Sequence, residues 1–347
     1  MSIAANSIMT LDHARVTFRR TLIACGLLLL LLLLLIVFTS LFGSEALPAK
    51  QSLCAIVSLG RASCGLTTDQ QAILFELRLP RILLAASVGA SLAAAGASYQ
   101  ALLRNPLAEP YLLGISNGAA VGTMLALVFL SASVWARPLM AFSGALLATL
   151  LVYRLAQGRA GATPERLILS GVIVTTFLSS VIVFVTTLLD ATRIRSFTFW
   201  LLGDLSGTNN NLLAIAISVA VVCTIVLSTY ARPLNLLMLG ERDAFDLGVE
   251  VSRVRLVVFV TASLLVGSSV AASGSVGYVG LVVPHLVRLS LGADNRMTIP
   301  AASICGAMFV VAADTIARTA IAPRELPVGA ITALIGAPMF IYLLKRG

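Results

Sequence analysis

Few side chains in this chain could do chemistry, and those few do not converge. The 347 residues contain two histidines, His13 and His285, with no HExxH, no CxxC and no acidic loop of calcium-binding spacing. Metal sites and nucleophile–base pairs need several such groups brought together, so neither is expected, and no cofactor is implied. His285, in the stretch PHLVR, reads either as a packed, hydrogen-bonded histidine or as a lone haem or metal ligand, and a solitary histidine favours the first. Lys50 and Lys345 are the only lysines and neither follows a glycine, which excludes a GxxxxGK[ST] phosphate loop. If ATP drives this protein, another chain hydrolyses it.

Two polar features remain, both inside apolar runs. Asp314 costs about 2.5 to 3.5 kcal/mol at the centre of a membrane helix and so needs a partner or a task. Arg318, four residues on, shares its helix face, so an internal ion pair competes with a proton relay. Only one acid lies clearly inside a span, which weakens a proton-coupled secondary transporter using Asp314. The second feature is a stripe formed by Thr176, Ser179, Ser180, Val183 and Thr187 on one helix face. Uncharged hydroxyls could line a path that wets a large polar substrate without holding it. They could equally bond their own backbone or a neighbouring helix.

The elements that must position these groups are membrane spans. The composition is 59% hydrophobic and 11% charged, against about 25% charged in soluble domains. The net charge of +9 comes from basic residues scattered singly between apolar runs, so it signals topology and not nucleic acid. About ten spans are expected, near 21–42, 82–103, 112–134, 138–157, 167–188, 210–230, 254–272, 277–291, 298–318 and 328–344. The first has nine consecutive leucines, Leu27 to Leu35, and reads as a lipid-facing helix too long for a cleavable signal ending near Ser44. The second is its opposite: thirteen of its 22 residues are Gly, Ala or Ser, which lets backbones approach inside a bundle. The repeated GxxxG of Gly114, Gly118 and Gly122 also reads as packing. The eighth, with Pro284 inside, is expected to be short or kinked and sheltered by protein.

Basic residues set the orientation. With the amino terminus inside, fifteen fall on the cytoplasmic side, including Arg15, Arg104, Arg159, Arg232, Arg242 and Arg255, and nine outside, so both termini are expected in the cytoplasm. The longest polar breaks are then an outer loop, 43–77, and an inner segment, 231–253. Of five cysteines, Cys25, Cys223 and Cys305 lie in spans as small apolar residues, whereas Cys54 and Cys64 share the outer loop and could be bridged or free. The inner segment, RPLNLLMLGERDAFDLGVEVSR, alternates apolar and charged residues around Gly240 and Gly248. Two short amphipathic helices fit it, suited to docking in a partner's groove.

The chain resembles the FecCD-type permeases of bacterial ABC importers for iron-siderophores, haem and vitamin B12. The resemblance is carried by RLPRILLAASVGASLAAAGASYQALLRNPLAEPYLLGISNGAAVG at 78–122, FWLLGDLSG at 199–207, LLMLGERDAFDLGV at 236–249, GYVGLVVPHLVR at 277–288, ADTIAR at 313–318 and ELPVGAITALIGAPMFIYLL at 325–344. It implies an all-α polytopic membrane protein with the type II ABC importer permease fold, one permease domain over 1–347. It also implies a second copy of the chain, two cytoplasmic ATP-binding subunits, a periplasmic substrate-binding protein and the bacterial inner membrane. By the same resemblance Leu239, Gly240, Glu241, Arg242, Ala244, Leu247 and Gly248 belong to coupling helices that enter the ATPase. The fifth run lines the path, residues 190–207 form a short outer helix, and Arg78, Arg81 and Arg318 receive acids of the binding protein. The same resemblance speaks against His285 as a haem ligand.

Overall fold

The computed structural model describes residues 18–346 except 44, 59, 62, 63, 131, 132, 134, 159, 160 and 208. His13, Arg15, Ser44 and Arg159 therefore lie outside the described residues. The leucine-rich α1 (Phe18–Ser40) is followed by two short helices, α2 (Ala49–Val57) and α3 (Thr68–Ala72). A widened turn at Ile73–Arg78 runs straight into α4 (Leu79–Leu102). After a tight turn at Pro110–Leu113 come α5 (Ile115–Phe129) and α6 (Ala136–Ala156), then a tiny hairpin pairing Gln157–Gly158 with Gly161–Ala162. The rest comprises α7 (Pro164–Thr186), α8 (Ala191–Leu201), α9 (Asn210–Thr229), α10 (Ala231–Leu239), α11 (Glu241–Asp246), α12 (Val251–Ser273), α13 (Val279–Leu291), α14 (Asn295–Thr319) and α15 (Val328–Arg346).

Among the described residues seven helices are long and apolar enough to cross a membrane, and α5, α13 and α15 are shorter apolar helices. The division of labour between α1 and α4 follows from side-chain size. Of the apolar stretch of α4, 83% is buried, against 6% for α1. Leucines give α1 a greasy perimeter, whereas alanine, glycine and serine let α4 sit at the centre with α9, α12, α13 and α14 around it. The approach is backbone to backbone. A methyl on Gly89 would lie 2.1 Å from the carbonyl oxygen of Gly306 in α14, and one on Gly96 would lie 1.9 Å from that of Gly280 in α13. Gly118 and Gly122 of α5 meet Gly144 and Met140 of α6 in the same way, but Gly114 does not. Its φ of 76° turns the chain into α5, a conformation an L side chain resists.

Third and eighth spans depart from continuous helices, and they do so at the same place. Pro110–Leu113 and the stretch from Gly274 to Tyr278 are non-α backbone lying against each other between α5 and α13. In a membrane such backbone must be satisfied internally. Tyr111 does this twice, its hydroxyl donating to the Val276 carbonyl at 2.8 Å and accepting from the Val276 N–H at 2.9 Å. The Tyr278 N–H donates to Glu109 at 3.1 Å, Ser116 donates to Ser275 at 3.2 Å, and the Gln100 amide reaches the carbonyls of Gly280 and Leu281. The eighth span is short as expected; the 3-10 turn that opens the third was not foreseen.

The 43–77 break is more ordered than a loop. Leu47, Ala55, Leu66 and Leu74 form a small core separate from the main one. Thr67 caps α3 by accepting from Gln70 N–H while the Gln70 side chain accepts from Thr67 N–H. Cys54 and Cys64 are joined in a disulfide ten residues apart in sequence. Replacing both by serine should destabilise this small unit by about 2 to 3 kcal/mol, the loop-closure value for so short a ring. Limited proteolysis should cut the variant sooner between residues 47 and 66; equal resistance would show that the four-residue core suffices without the bridge.

Candidate functional site

The predicted site residues fall into three regions, two at opposite ends of the bundle and one along its side. At the first end, Arg81 of α4 lies between two acids. Its Nε is 3.0 Å from Oδ1 of Asp314 and an amino nitrogen is 2.6 Å from Glu325. Arg318 approaches the other oxygen of Asp314 at 3.0 Å and donates to the Phe42 carbonyl and to Thr315. Arg78 spends its guanidinium on the backbone carbonyls of Ser40 and Glu45. Glu45, Glu76, Glu325 and the three arginines border a cavity of about 270 Å³.

The three arginines that the resemblance gives to a binding protein are each engaged within this chain. Arg78 and Arg318 are only 5% and 3% exposed, and Asp314 is fully buried. The reason is energetic: Asp314 cannot stay ionised in an apolar interior without cations, and Arg81 and Arg318 are the groups that supply them. Glu325, by contrast, is partly exposed and leaves Arg81 a partner that solvent can reach. Glu325 was missed as a participant because it sits outside the apolar runs, in the connection after α14.

At the other end, α10 and α11 form the two short helices expected in 231–253. Gly240 joins them with φ 149° and ψ 151°, a conformation open to glycine. Leu239, Phe245 and Leu247 are 69%, 70% and 63% exposed, while Ala244 is fully buried. Ala244 thus packs inward and cannot itself touch a partner, and Phe245, which sequence reasoning passed over, joins Leu239 and Leu247 on the apolar outer surface. Arg242 and Gly248 are exposed as expected. Glu241 is bound within the chain, 2.6 Å from Arg255 and 3.7 Å from Arg104, so it ties α11 to α12 and to the end of α4.

Along the side, α7 presents Thr176, Ser179, Ser180, Val183 and Thr187 on one exposed face. The hydroxyls of this face are hydrogen-bonded within the chain. Thr176, Ser180 and Thr187 donate to the carbonyls of Val172, Thr176 and Phe184, and Ser179 receives the Asn117 amide at 2.7 Å. The hydroxyl hydrogens of Thr176, Ser180 and Thr187 are thereby occupied, and the Ser179 oxygen is used as an acceptor. Beside this stripe runs an apolar one of Leu169, Ile173, Phe177, Phe184 and Leu188, all exposed. The opposite face, including Ile182, packs on Ala120, Met124, Leu127 and Phe197. His285 sits partly exposed on α13, and among the described residues no cluster of three His, Cys, Asp or Glu could hold a metal.

Comparison with known proteins matches residues 29–346 to the model of the FecCD transport family. The chain is 44% identical over 281 residues to the cobalamin import system permease protein BtuC of Halobacterium salinarum, covering 81% of this chain and 75% of that one. It is 39% identical over 279 residues to the hemin transport system permease protein HmuU of Yersinia pestis, covering 79% and 83%. Among solved structures, an inward-facing metal-chelate type ABC transporter aligns with a TM-score of 0.82 at 31% identity, over 93% of this chain and 99% of that one.

Proposed function

We propose, from the premise that this chain belongs to the FecCD transport family, that it is the permease subunit of an ATP-driven importer for an iron chelate, such as a siderophore or haem, or for cobalamin. The observation that carries the reading is the α7 face, a polar but uncharged and already hydrogen-bonded surface on the side of a helical bundle. Such a surface lets a large polar cargo slide past with no fixed charge to trap it. The chain has no phosphate loop, so two ATP-binding subunits supply the energy. We place them against Leu239, Phe245 and Leu247, and a second copy of the chain against α7, its apolar stripe packing and its hydroxyl stripe lining the shared path. In a single permease domain, residues 43–77 then face the periplasm beside the Arg81 end, 231–253 and both termini face the cytoplasm, and the membrane is the bacterial inner one.

A periplasmic binding protein would dock at the Arg81 end. Arg81 and Arg318 share Asp314 there, and the exposed Glu325 on Arg81 is the partner a docking acid could replace. The competing reading, a secondary carrier cycling protons on Asp314, is disfavoured by the two guanidiniums at 3.0 Å from its oxygens. Asp314 is fully buried, and both of its oxygens are committed to fixed cations of the same chain.

The test is reconstitution with the ATP-binding subunits and binding protein. Uptake of cobalamin, hemin or a ferric siderophore should require ATP and stop with vanadate. Uptake driven by a proton gradient without ATP would overturn the proposal. The orientation is checked separately with single cysteines in a cysteine-free chain. Thr68→Cys and Asp243→Cys both sit at exposed positions, and an impermeant thiol reagent on intact cells should label only the first. For the ATPase contact, Leu247→Asp should place an unpaired charge in an apolar groove, which is strongly unfavourable. The ATP-binding subunits should then co-purify poorly; normal assembly would make 231–253 a linker.

A further inference from the structure

Among the described residues, polar contacts of two different kinds join the coupling segment to the rest of the chain. Glu241 sits in a partly exposed charge bracket with Arg255 and Arg104, which holds α11 against α12 and α4. Asn235, on α10, makes a set of directional bonds to the turn between α13 and α14. Its carbonyl oxygen accepts from the backbone N–H of Asn295 at 2.9 Å and from the Asn295 side-chain amide at 2.8 Å, and its own amide donates to Asp294 at 2.7 Å. Asn295 is fully buried, and its side-chain oxygen faces an Arg288 nitrogen at 3.5 Å, the same nitrogen that donates to the Ala97 carbonyl of α4. Burial of Asp294 opposes its ionisation, but Arg296 and Asn235 outweigh this and hold its carboxyl below the usual range, so it accepts from Asn235 as an anion.

What lies beyond that turn is stiff. α13 and α14 are each in backbone contact with α4 through glycines. The far end of α13 begins at Tyr278, clamped to Glu109 beside the unwound segment that leads into α5. Asn117 of α5 in turn donates to the Thr175 carbonyl and to Ser179 on the path-facing helix α7. A push on α10 that reaches α13 therefore has a continuous bonded route to the hydroxyl stripe.

We propose that Asn235, bonded to Asp294 and Asn295, is a positioning residue for transport: the joint through which the coupling segment moves α4, α13 and α14 as one block. The inference rests on the permease reading above and names how that site is worked. The joint suits the task because three short directional bonds resist both sliding and separation, whereas Glu241 holds the buried Arg255 through one short contact and the more exposed Arg104 only at 3.7 Å, where solvent screens it. Asn235 supplies a donor and an acceptor at once, which Asp, Ala or Leu at this position cannot.

The test needs no knowledge of the cargo. In a chain with Cys25, Cys223 and Cys305 replaced by serine, Val183→Cys reports on the path face. The complex with its ATP-binding subunits is reconstituted, and the rate of thiol labelling is measured without nucleotide and with ATP plus vanadate. With Asn235 intact, nucleotide should change the rate several-fold. Asn235→Asp keeps an acceptor for Asn295 but sets a second anion against Asp294; ATP hydrolysis should continue while the labelling change disappears. Should this variant not assemble, Asn235→Ala, which adds no charge, decides on the same two measurements. A retained labelling change in either variant, hydrolysis and labelling change lost together, or failure of both variants to assemble would overturn the proposal, the last by making the contact one of folding. If the chain with Asn235 intact shows no nucleotide-dependent change, it is the permease reading that fails.

Discussion

Asp314→Ala should prevent stable insertion or assembly, and the damage should be largely undone by a second substitution, Arg318→Leu. Asp314 is fully buried and holds Arg81 and Arg318 at 3.0 Å each. Removing one member of a buried ion pair typically costs about 3 to 5 kcal/mol, because the cation left behind is neither paired nor hydrated. Here two cations depend on the one acid. Arg81 keeps Glu325, its partner at 2.6 Å, but Arg318, with 4% of its side chain exposed, keeps among the described residues the uncharged Phe42 carbonyl and Thr315. Pairing Asp314→Ala with Arg318→Leu removes the stranded charge, and replacing buried pairs by apolar residues is often close to neutral. Asp314→Asn separates this account from a proton relay. A relay predicts an assembled protein that no longer transports, whereas the ion-pair account predicts a protein that is lost, since a neutral amide cannot balance two guanidiniums. Yield of folded protein in detergent, followed by thermal unfolding, reads the outcome. Normal assembly of Asp314→Asn would sink the ion-pair account.

That pairing of Asp314 with Arg318 was legible from their four-residue spacing alone. The resemblance also gives Arg318 to docking, and within this chain it lies 3.0 Å from the acid. Side-chain size separated a central α4 from a peripheral α1, because packing and lipid exposure ask for opposite shapes. Periodicity placed the α7 hydroxyls on one face for the same reason that a helix has two sides. What escaped the sequence is what depends on partners distant along the chain. The run Tyr111-Leu112-Leu113 looks like the start of an α-helix, yet it forms a 3-10 turn whose Tyr111 is committed to Val276, more than 160 residues later. Glu325 and Phe245 escaped because nothing in their neighbours indicates that one meets Arg81 and the other stands clear of the bundle. Ala244 misled in the opposite sense: it lies among exposed residues in the chain but faces inward in space.

Val183→Trp should abolish uptake in a complex that still assembles and hydrolyses ATP. Val183 is 64% exposed, between Ser180 and Thr187 on the hydroxyl face, so an indole there meets no packed neighbour within this chain and folding should be spared. If two copies bring their α7 helices together, symmetry places two indoles opposite each other, and the route closes by bulk without any change of charge. Ser180→Trp should act in the same way. Ile182, on the far side of the helix, is no tolerant control, because it packs on Ala120, Met124, Leu127 and Phe197, where added volume typically costs about 1 to 3 kcal/mol. Ile182→Trp should therefore lower the yield of folded protein, a failure distinguishable from blockage by the missing complex. A sound control is Leu30→Trp on α1, exposed on the outer perimeter of the bundle, which should leave both assembly and uptake near normal. Were Val183→Trp to transport as well as Leu30→Trp, the hydroxyl face of α7 would not be the path, and its serines and threonines would serve only to satisfy their own helix and Asn117.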